Sequence, residues 1–471
     1  MNIRKKNTVE FIASERSGLD RLIFSATRLA LFSLLAIFSS TLLESRPPNI
    51  IFIMADDLGY GDLGCYGSKY IATPHIDALA GQGTRYTHFY AGAPVCAPSR
   101  CVLMTGLHSG HGLIRGNSPQ VGGVEELFGE GGMRLSLTGR EPTVAEALRK
   151  QGYATGAAGK WGIGEPQSKG TPVQMGFDSW LGYLNQNHAS YYYTDFLWKD
   201  DSRLSISGNK DGNRTVYSND LFRDYALDFI RENRKQPFFL YLPITIPHEL
   251  MEVPELGDYA NRDWSESAKI YAAMSTRLDG YVGEIMDELD HWKLAEDTLL
   301  IFTSDNGPVN KERSEELHSA GGLRGRKGSL YEGGLRVPII ARWPGVVAEG
   351  ETNETPWMFA DVFPTLLEVA GESVDYGMDG VSLLPTLQGE EQDMSKRPLY
   401  WEFPRDRLWQ AGRRENWKAI RYGMDQPIEL YNLQEDPYES RNVANENGET
   451  VAQFEAFFDA EHVPSAHWPV D

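Results

Sequence analysis

The stretch Asn49-Ile50-Ile51-Phe52-Ile53-Met54-Ala55-Asp56-Asp57-Leu58-Gly59 decides the fold class of this chain. It begins with a continuous, isoleucine-rich apolar run, and such runs are typical of strands buried on both faces of a parallel sheet. The run ends at two adjacent aspartates. Because open α/β sheets bind ligands beyond the carboxyl ends of their strands, this stretch predicts a buried strand with a binding site at its end.

Outward from this strand, the chain alternates between apolar strands and amphipathic helices. The pattern predicts helices at 143–151, 220–233 and 265–292, and strands at 238–242, at 298–303 and within 336–343. Such alternation favours a three-layer α/β domain with a mostly parallel central sheet. We place this domain at residues 46–374.

From about residue 375 the pattern changes to short aromatic segments. Residues 399–403, 417–422 and 428–433 predict strands of a small antiparallel sheet. Residues 375–471 are therefore expected to form a smaller C-terminal subdomain. A length of 471 residues agrees with this division, because it exceeds what one ordinary hydrophobic core supports.

The composition is that of a globular protein, with 41% hydrophobic and 24% charged residues. The formal net charge is −21, whereas proteins that bind nucleic acids are normally basic. We therefore expect no nucleic-acid partner, and local cations or a metal ion would have to hold an anionic substrate. The chain has three cysteines, too few for a disulfide framework, and the apolar surroundings of Cys65 and Cys101 predict buried structural thiols.

The N-terminal residues 1–45 contain a short apolar run, Leu29 to Phe38, preceded by Arg21 and Arg28 and followed by small polar residues. This pattern is typical of a signal peptide and predicts export to the periplasm or the medium. The run is too short to favour a stable membrane span. An uncleaved anchor or a misassigned start codon is the alternative interpretation.

Oxygen-bearing side chains follow two of the predicted strands. Asp56 and Asp57 end the first strand, and Asp305 and Asn306 follow the strand at 298–303. Three carboxylates and an amide suit a hard cation, and calcium tolerates several carboxylates in irregular geometry better than magnesium does. Taken separately, each pair favours an ordinary turn over a ligand, and it is their shared position at the ends of buried strands in one sheet that favours a metal site.

The segment Cys96-Ala97-Pro98-Ser99-Arg100 predicts a nucleophile at the start of a helix. Pro98 suits the first helical turn, and the exposed N–H groups there, together with Arg100, would stabilise an anion. From its surroundings alone, Cys96 is predicted to be a reactive thiolate. A thiolate, however, is a poor ligand for the hard cation that the neighbouring carboxylates predict.

Three further segments carry candidate cations or acids. Gly159-Lys160-Trp161-Gly162 and Gly325-Arg326-Lys327-Gly328 each place a lysine among glycines, where it can approach a sulfate or phosphate oxygen. Pro247-His248 follows the strand at 238–242 and offers a general acid. Alone, either lysine would be interpreted as an exposed surface residue, because lysine is mostly exposed in proteins.

Candidate substrate contacts are less well defined. The run 185–193 is rich in amide and aromatic side chains, which suits sugar rings but also suits tyrosines packed beside a loop. A basic run between 405 and 414 could meet further sulfates or could simply be a solvated surface. The residues that we predict to contact substrate are Arg115, Asn187, His188 and Tyr191.

In combination, these segments resemble the sulfatase family of the alkaline phosphatase superfamily. The resemblance extends from about residue 48 nearly to the C-terminus. The segments that carry it, in chain order, are 49–61, Cys-x-Pro-Ser-Arg at 96–100, Gly-Lys-Trp at 159–161, Pro247-His248, Ser304 to Gly307, Lys327 with 331–334, and 429–437. The resemblance implies an alkaline-phosphatase-like three-layer sandwich.

The resemblance also implies that Cys96 is oxidised to formylglycine by a maturation enzyme, which resolves the conflict between thiolate and cation. The hydrated aldehyde would attack sulfur, release the alcohol and then eliminate sulfate. The residues that match the family's calcium ligands are Asp56, Asp57, the modified Cys96, Asp305 and Asn306. Those that match its catalytic groups are Arg100 and Lys160 near the nucleophile, and His248 and Lys327 at the sulfate.

One position departs from the family pattern. Many members carry histidine after Gly-Lys-Trp, where this chain has Gly162, so another group or a water molecule must orient the nucleophile. Candidates for that group are His108, His111 and His188. We predict a carbohydrate sulfatase that acts on a substrate such as an algal polysaccharide or a glycosaminoglycan. A phosphonate or phosphate diester hydrolase, or a sulfoglycan-binding protein with unmodified Cys96, are the alternatives.

Overall fold

The computed structural model describes residues 46–125, 133–373, 376–394 and 396–469. The predicted leader at 1–45 and the predicted domain boundary at 374–375 lie outside these residues. Residues Pro47–Asp471 group into one compact unit. In the described part of the chain, no helix combines the length and apolar character that crossing a membrane requires.

The central sheet contains most of the strands, and a second sheet is formed near the C-terminus. In chain order the strands are β1 Asn49–Ala55, β2 Thr84–Tyr86, β3 Phe89–Tyr90, β4 Val124–Glu125, β5 Met133–Arg134, β6 Ala154–Lys160, β7 Ser179–Tyr183, β8 Phe196–Lys199, β9 Ser202–Ser205, β10 Phe238–Pro243, β11 Thr298–Ser304, β12 Ile339–Arg342, β13 Glu351–Asn353, β14 Trp357–Met358, β15 Leu399–Pro404, β16 Leu408–Arg414, β17 Trp417–Tyr422 and β18 Glu429–Asn432.

The α-helices confirm the alternation predicted for the larger domain. They are α1 Pro74–Gly81, α2 Cys96–Thr105, α3 Val144–Lys150, α4 Ser218–Asn233, α5 Glu266–His291, α6 Lys311–Leu317, α7 Glu332–Leu335, α8 Val362–Val369, α9 Leu384–Leu387 and α10 Gly448–Glu461. The helices predicted at 143–151, 220–233 and 265–292 correspond to α3, α4 and α5. Thr143 and Ser265 accept hydrogen bonds from the first turns of α3 and α5, which fixes where these helices begin.

The central sheet has ten strands in the order β13-β2-β12-β11-β1-β10-β6-β7-β8-β9. Its middle strands, from β11 to β7, are all parallel, so their carboxyl ends lie along one edge. In β1 the seven residues are buried, as expected for a strand with a layer on each face. This arrangement confirms the mostly parallel sheet predicted from the sequence.

Two hydrophobic cores fill the space on either side of this sheet. Ile51 and Ile53 of β1 point into one core with α1, α4 and α5, and Phe52 and Met54 point into the other with α2, α3 and α8. Alternate residues of one strand therefore enter different layers, as the two-residue period of a strand requires. The result is the three-layer sandwich that the sequence predicts.

The smaller sheet is antiparallel, in the order β15-β16-β17-β18, and α10 covers one face through Phe454 and Phe458. Its other face packs against the larger domain, where Trp401 donates a hydrogen bond to the carbonyl of Ala91. Lys418 is fully buried between Glu332 and Glu439, at 2.8 and 3.1 Å. Both charged and apolar contacts thus attach the sheet to the larger domain.

A pair of histidines connects the end of α2 with the C-terminal helix. His108 Nε2 lies 2.9 Å from Glu461, His111 Nδ1 lies 2.9 Å from Asp379, and the two rings stack at 4.1 Å. The amide of Gly110 donates to His108 Nδ1, so in a neutral His108 ring the hydrogen is on Nε2 and is donated to Glu461. We call His108, His111, Asp379 and Glu461 the C-terminal latch.

We expect replacement of His111 by glutamine to flatten the pH dependence of stability above about pH 6.5. The hydrogen bond to Asp379 raises the pKa of His111, so its stabilisation is complete at lower pH and is lost as pH rises through the folded pKa. Partial exposure screens this contribution to less than about 1 kcal/mol. Thermal unfolding at about pH 5.5 and pH 8.5 measures it.

The exposed His291 provides a matched control, because its replacement by glutamine should leave the difference between the two pH values unchanged. On the acid side, the pH range of this comparison is limited by protonation of Asp379. Burial raises the pKa of Asp379, but His111 and His108 lower it below its usual value. An equal pH response in the parent and the H111Q variant would contradict the assigned role of the latch.

Candidate active site

Three carboxylates meet where β1 and β11 end. These strands are neighbours in parallel register, with Ala55 opposite Ser304, so the residues that follow them come together. The backbone N–H of Asp57 donates to Asp305 Oδ1 at 3.1 Å, and Asn306 Nδ2 donates to Asp57 Oδ1 at 2.6 Å. The structure thus brings together the four oxygen-bearing side chains that the sequence singles out as metal ligands.

The chemistry of these side chains fits a hard divalent cation. Asp56, Asp57 and Asp305 are fully buried, and each offers a carboxylate oxygen within 4.8 Å of the others. Among the described residues, Asp56 Oδ1 and Asn306 Oδ1 are buried without a hydrogen-bond donor. Burial and the charge of Asp56 raise the pKa of Asp305 to about 7. A cation bound by these oxygens would offset both the burial cost and the mutual repulsion.

Cys96 begins α2 beside this carboxylate cluster and is only 2% exposed. Its Sγ belongs to a group with Asp56 and His248 in which the potential ligand atoms lie within 4.8 Å of one another. Burial raises the pKa of the thiol, but Lys160, Lys327 and a hydrogen bond with His248 lower it to about 5. Cys96 therefore lies in a pocket that stabilises negative charge, as its sequence context predicts.

Three cations surround the carboxylates and the thiol. Arg100, one turn along α2, contacts Asp305 at 2.7 Å and Asp56 at 3.2 Å. Lys160 ends β6 and contacts Asp56 at 2.7 Å. Lys327 contacts Asp57 at 2.6 Å. The structure therefore brings all three predicted cations into one site, where each faces a carboxylate.

His248 follows β10 and presents one edge of its ring to the site. Its Nδ1 lies in short contact with the carbonyl oxygen of Glu249, which can only accept, so Nδ1 carries the hydrogen. Its Nε2 lies 3.6 Å from Asp57 Oδ2 and faces the site, where it can exchange a proton with a bound group. This orientation suits the general-acid role that the sequence predicts.

Two amide side chains lie beside Cys96 and Gly162; the sequence does not mark Asn117, and it includes Gln186 only within the run 185–193. Asn117 accepts a hydrogen bond from Ala97 N–H, and its Nδ2 lies 3.8 Å from Cys96 Sγ. A Cβ built on Gly162 would lie only 2.4 Å from Gln186 Nε2, so Gln186 fills the space that a side chain at this position would need. No local pattern marks Asn117, because it follows no predicted strand.

The histidines considered as replacements at position 162 lie elsewhere. His108 and His111 follow the C-terminal end of α2, whereas Cys96 is at its start, one ten-residue helix or about 15 Å away. Their side chains belong to the C-terminal latch. His188 is 3% exposed, and its Nε2 contacts Thr194 Oγ1 at 2.8 Å between the rings of Tyr183 and Phe196.

The residues predicted to contact substrate differ in how exposed they are. Tyr191 is 54% exposed, and Asn187 is half-buried with its Oδ1 3.4 Å from Arg134. Arg115 is 3% exposed and binds Glu402 at 2.5 Å and the carbonyl of Val463 at 2.7 Å. These partners commit Arg115 to joining the two parts of the fold. We do not retain buried His188 and Arg115 as substrate contacts.

Comparison with known proteins agrees with this geometry. The sulfatase family model matches residues 48–372, and the model of the N-sulphoglucosamine sulphohydrolase C-terminal region matches residues 326–456. Human N-acetylgalactosamine-6-sulfatase is 31% identical over 76% of this chain and 68% of its own length. Human arylsulfatase A is 35% identical over 76% of this chain and 71% of its own length.

A solved structure supports the same relationship at the level of the fold. The crystal structure of Ps i-CgsB in complex with k-i-k-neocarrahexaose superimposes with a TM-score of 0.76 at 29% identity, covering 90% of this chain and 95% of that one. Fold and site together define a hydrolase of the alkaline phosphatase superfamily. Within that superfamily the chain belongs to the sulfatase family, whose members are sulfuric ester hydrolases.

Proposed function

We propose that this protein removes sulfate from a sulfated carbohydrate by means of a formylglycine made from Cys96 and a bound calcium ion. The observation that carries the proposal is the convergence of Cys96, three buried carboxylates, Lys160, His248 and Lys327 at the carboxyl edge of one sheet. The cations suit an anionic ester, and the carboxylates suit the metal.

When present, the hydrated aldehyde supplies an oxygen nucleophile, and calcium supplies positive charge next to it. The chain's own residues orient these groups. Arg100 holds Asp56 and Asp305 in place, and Ser99 Oγ donates to the carbonyl of Asp305 at 2.7 Å. Asn117 reaches the side chain at position 96, so we assign to it the orienting role that Gly162 cannot perform.

Lys327 and His248 are the groups that would bind the sulfate, and Lys160 lies beside the nucleophile. Each lysine presents a compact ammonium that can approach a sulfate oxygen, and such fixed charges stabilise the charge that develops during transfer. His248, with its hydrogen on Nδ1 fixed by Glu249, is positioned to give a second proton from Nε2 to the leaving alcohol oxygen. Asp57 lies close enough to stabilise that protonated ring.

The carbohydrate substrate is supported by the relatives. A 29% identical protein of Bacteroides thetaiotaomicron, N-acetylgalactosamine-6-O-sulfatase, aligns with 87% of this chain and 92% of its own length. The Ps i-CgsB structure was solved with a neocarrahexaose. Exposed Tyr191 and half-buried Asn187 offer an aromatic face and an amide for a sugar ring.

The alternative of a phosphonate or phosphate diester hydrolase has weaker support. The phosphonate monoester hydrolase of Agrobacterium radiobacter superimposes with a TM-score of 0.64 at 22% identity, which indicates a shared fold only. A protein that only binds sulfoglycans would have no use for the cluster of buried catalytic groups. We therefore retain the sulfatase assignment for this chain.

A screen of defined sulfated oligosaccharides that measures free sulfate tests the proposal. Protein with formylglycine verified by mass spectrometry should release sulfate from at least one of them. It should also hydrolyse 4-nitrophenyl sulfate with a higher kcat/KM than bis(4-nitrophenyl) phosphate. Preference for the phosphodiester, with no sulfate released from any saccharide, would refute the assignment.

We also propose export, directed by the leader at residues 1–45, and maturation by a separate formylglycine-generating enzyme. The burial of Cys96 supports a constraint on this maturation. At 2% exposure the side chain is out of reach of another protein's active site in the folded state. The modification must therefore occur before α2 packs into the fold.

A further inference from the structure

A cationic pocket lies directly beside the predicted sulfate-binding lysine. The cavity has a volume of about 520 Å³, within the range of small-molecule sites. One wall is the loop from Arg324 to Ser329, and the other is provided by Trp409 and Tyr422 of the C-terminal sheet and by Arg405 in the turn between β15 and β16. Lys327 belongs to the first wall and reaches from it to Asp57 in the active site. The pocket is thus one lysine side chain away from the reacting group.

The arginines of this pocket are exposed and differ in their partners. Arg324 stacks on the Tyr331 ring at 3.8 Å and donates to the carbonyl of Glu439 at 2.7 Å. Among the described residues, neither Arg326 nor Arg405 forms an ion pair with a carboxylate. In a chain of net charge −21, two unpaired guanidinium groups in one concave site create a local positive field.

The backbone that carries these arginines is held in place. The carbonyl of Arg326 accepts a hydrogen bond from Ser329 at 2.9 Å, and Gly328 N–H donates to the carbonyl of Pro94, close to the nucleophile. On the other wall, Gln120 donates to the carbonyl of Arg405 at 2.5 Å. A backbone that is already ordered does not have to be fixed when an anion binds to the side chains it carries, which favours recognition.

The pocket also has an aromatic side. The guanidinium of Arg405 lies 4.9 Å from the Trp409 ring, and that ring meets Tyr422 edge to face at 4.9 Å. Flat apolar rings beside bidentate donors match a sugar that carries a negatively charged substituent. A neutral sugar would leave the arginines without a partner.

We propose that this pocket binds a second anionic group, a sulfate or a uronate carboxylate, on a sugar next to the one that loses its sulfate. This inference rests on the proposed carbohydrate sulfatase function and deepens it. Arg326 and Arg405 act as specificity residues that favour saccharides with more than one charge. They take no part in breaking the sulfate ester.

The test compares a singly sulfated disaccharide substrate from the screen with two matched disaccharides. In one of them the neighbouring sugar, which does not lose its sulfate in the reaction, carries a second sulfate; in the other that sugar is a uronic acid. We expect the parent protein to prefer the doubly charged disaccharide in kcat/KM by about tenfold, the effect of one charge-assisted hydrogen bond. Arg405→Gln and Arg326→Gln should each remove most of this preference. Arg405→Lys should retain part of it, because it keeps the charge but loses the bidentate geometry.

Arg407→Gln is the matched control. Arg407 lies in the same turn but pairs with Asp425 at 3.1 Å, so its removal should leave the preference intact. No preference in the parent protein, or an equal loss of kcat/KM for both disaccharides in R405Q and R326Q, would overturn the inference. Because the singly charged disaccharide is cleaved in either case, this failure is distinct from failure of the sulfatase assignment. An effect with only one of the two anions would identify the group that is bound.

Discussion

Replacing Cys96 by alanine should abolish sulfate release while the protein still folds. The change removes the only side-chain atom from which formylglycine can be made at this position, so the remaining cations can bind substrate but cannot attack it. Loss of the covalent nucleophile lowers kcat by at least about 10⁴-fold in serine proteases, and we expect a loss of similar size here. Release of sulfate from the best saccharide of the screen measures the effect.

Cys101→Ala is the matched control for this variant. Cys101 lies in the same helix, and burial raises the pKa of its thiol to about 11, which makes it an unreactive structural residue. We expect the C101A variant to retain formylglycine in the 96–100 peptide and to keep its turnover. Appreciable turnover by C96A, or a free thiol at Cys96 in active protein from the native host, would refute the nucleophile assignment.

Replacing Asp57 by asparagine should have the second largest effect, a loss of about 10³-fold in kcat/KM. The residue has a positive φ of 67°, a conformation that asparagine adopts more readily than most residues, so the backbone should be preserved. The change removes the charge that faces Lys327 and one predicted calcium ligand. Steady-state kinetics with and without added calcium measure the loss.

Two comparisons separate metal loss from general damage. Asp62→Asn alters a buried aspartate of the same loop that binds Gly59 N–H and Tyr271 instead of the site, so activity should fall only a few-fold. A strong chelator should inactivate the parent protein, and calcium should restore it. Undiminished turnover in both D57N and the chelated parent would show that these carboxylates do not hold an essential cation.

The sequence predicts the parts of this fold that have a simple hydrophobic pattern. The strands β1, β10 and β11 are nearly continuous apolar runs, and each was predicted within one or two residues. The strand β6 was not, because Ala154–Lys160 is built from small residues with weak strand propensity. One reason is tertiary: a Cβ on Gly156 would lie 2.4 Å from the Phe229 ring of α4.

The strand β16 was not predicted either, because it contains buried polar residues. The segment Leu408–Arg414 contains Gln410 and Arg413, which suggest solvent exposure, yet both side chains are buried in β16. Arg413 donates to Tyr90 of the larger domain at 2.5 Å, and Gln410 donates to Tyr400 at 2.8 Å. A pattern of hydrophobicity cannot reveal such partners, because they come from distant parts of the chain.

The same limit applies to the site. Residues that end predicted strands, such as Asp56 and Asp305, could be found from position and chemistry together. Asn117 and the position of Gln186 beside Gly162 could not, since these residues lie 21 and 24 positions from Cys96 and Gly162 and only the fold brings them together. Arg115 was assigned to substrate from sequence, whereas its partner Glu402 lies 287 residues away and could be identified only from the fold.

The C-terminal latch has a consequence for the order of events during synthesis. His108 lies just after the helix that begins at Cys96, and its partner Glu461 is 353 residues further along the chain. A ribosome adds about 5 to 20 residues per second, so that partner emerges about 20 to 70 s after His108 does. Throughout this interval the loop that follows the nucleophile helix lacks its final contacts. Slow completion of the chain therefore gives the proposed maturation enzyme time to reach Cys96 before folding buries this side chain.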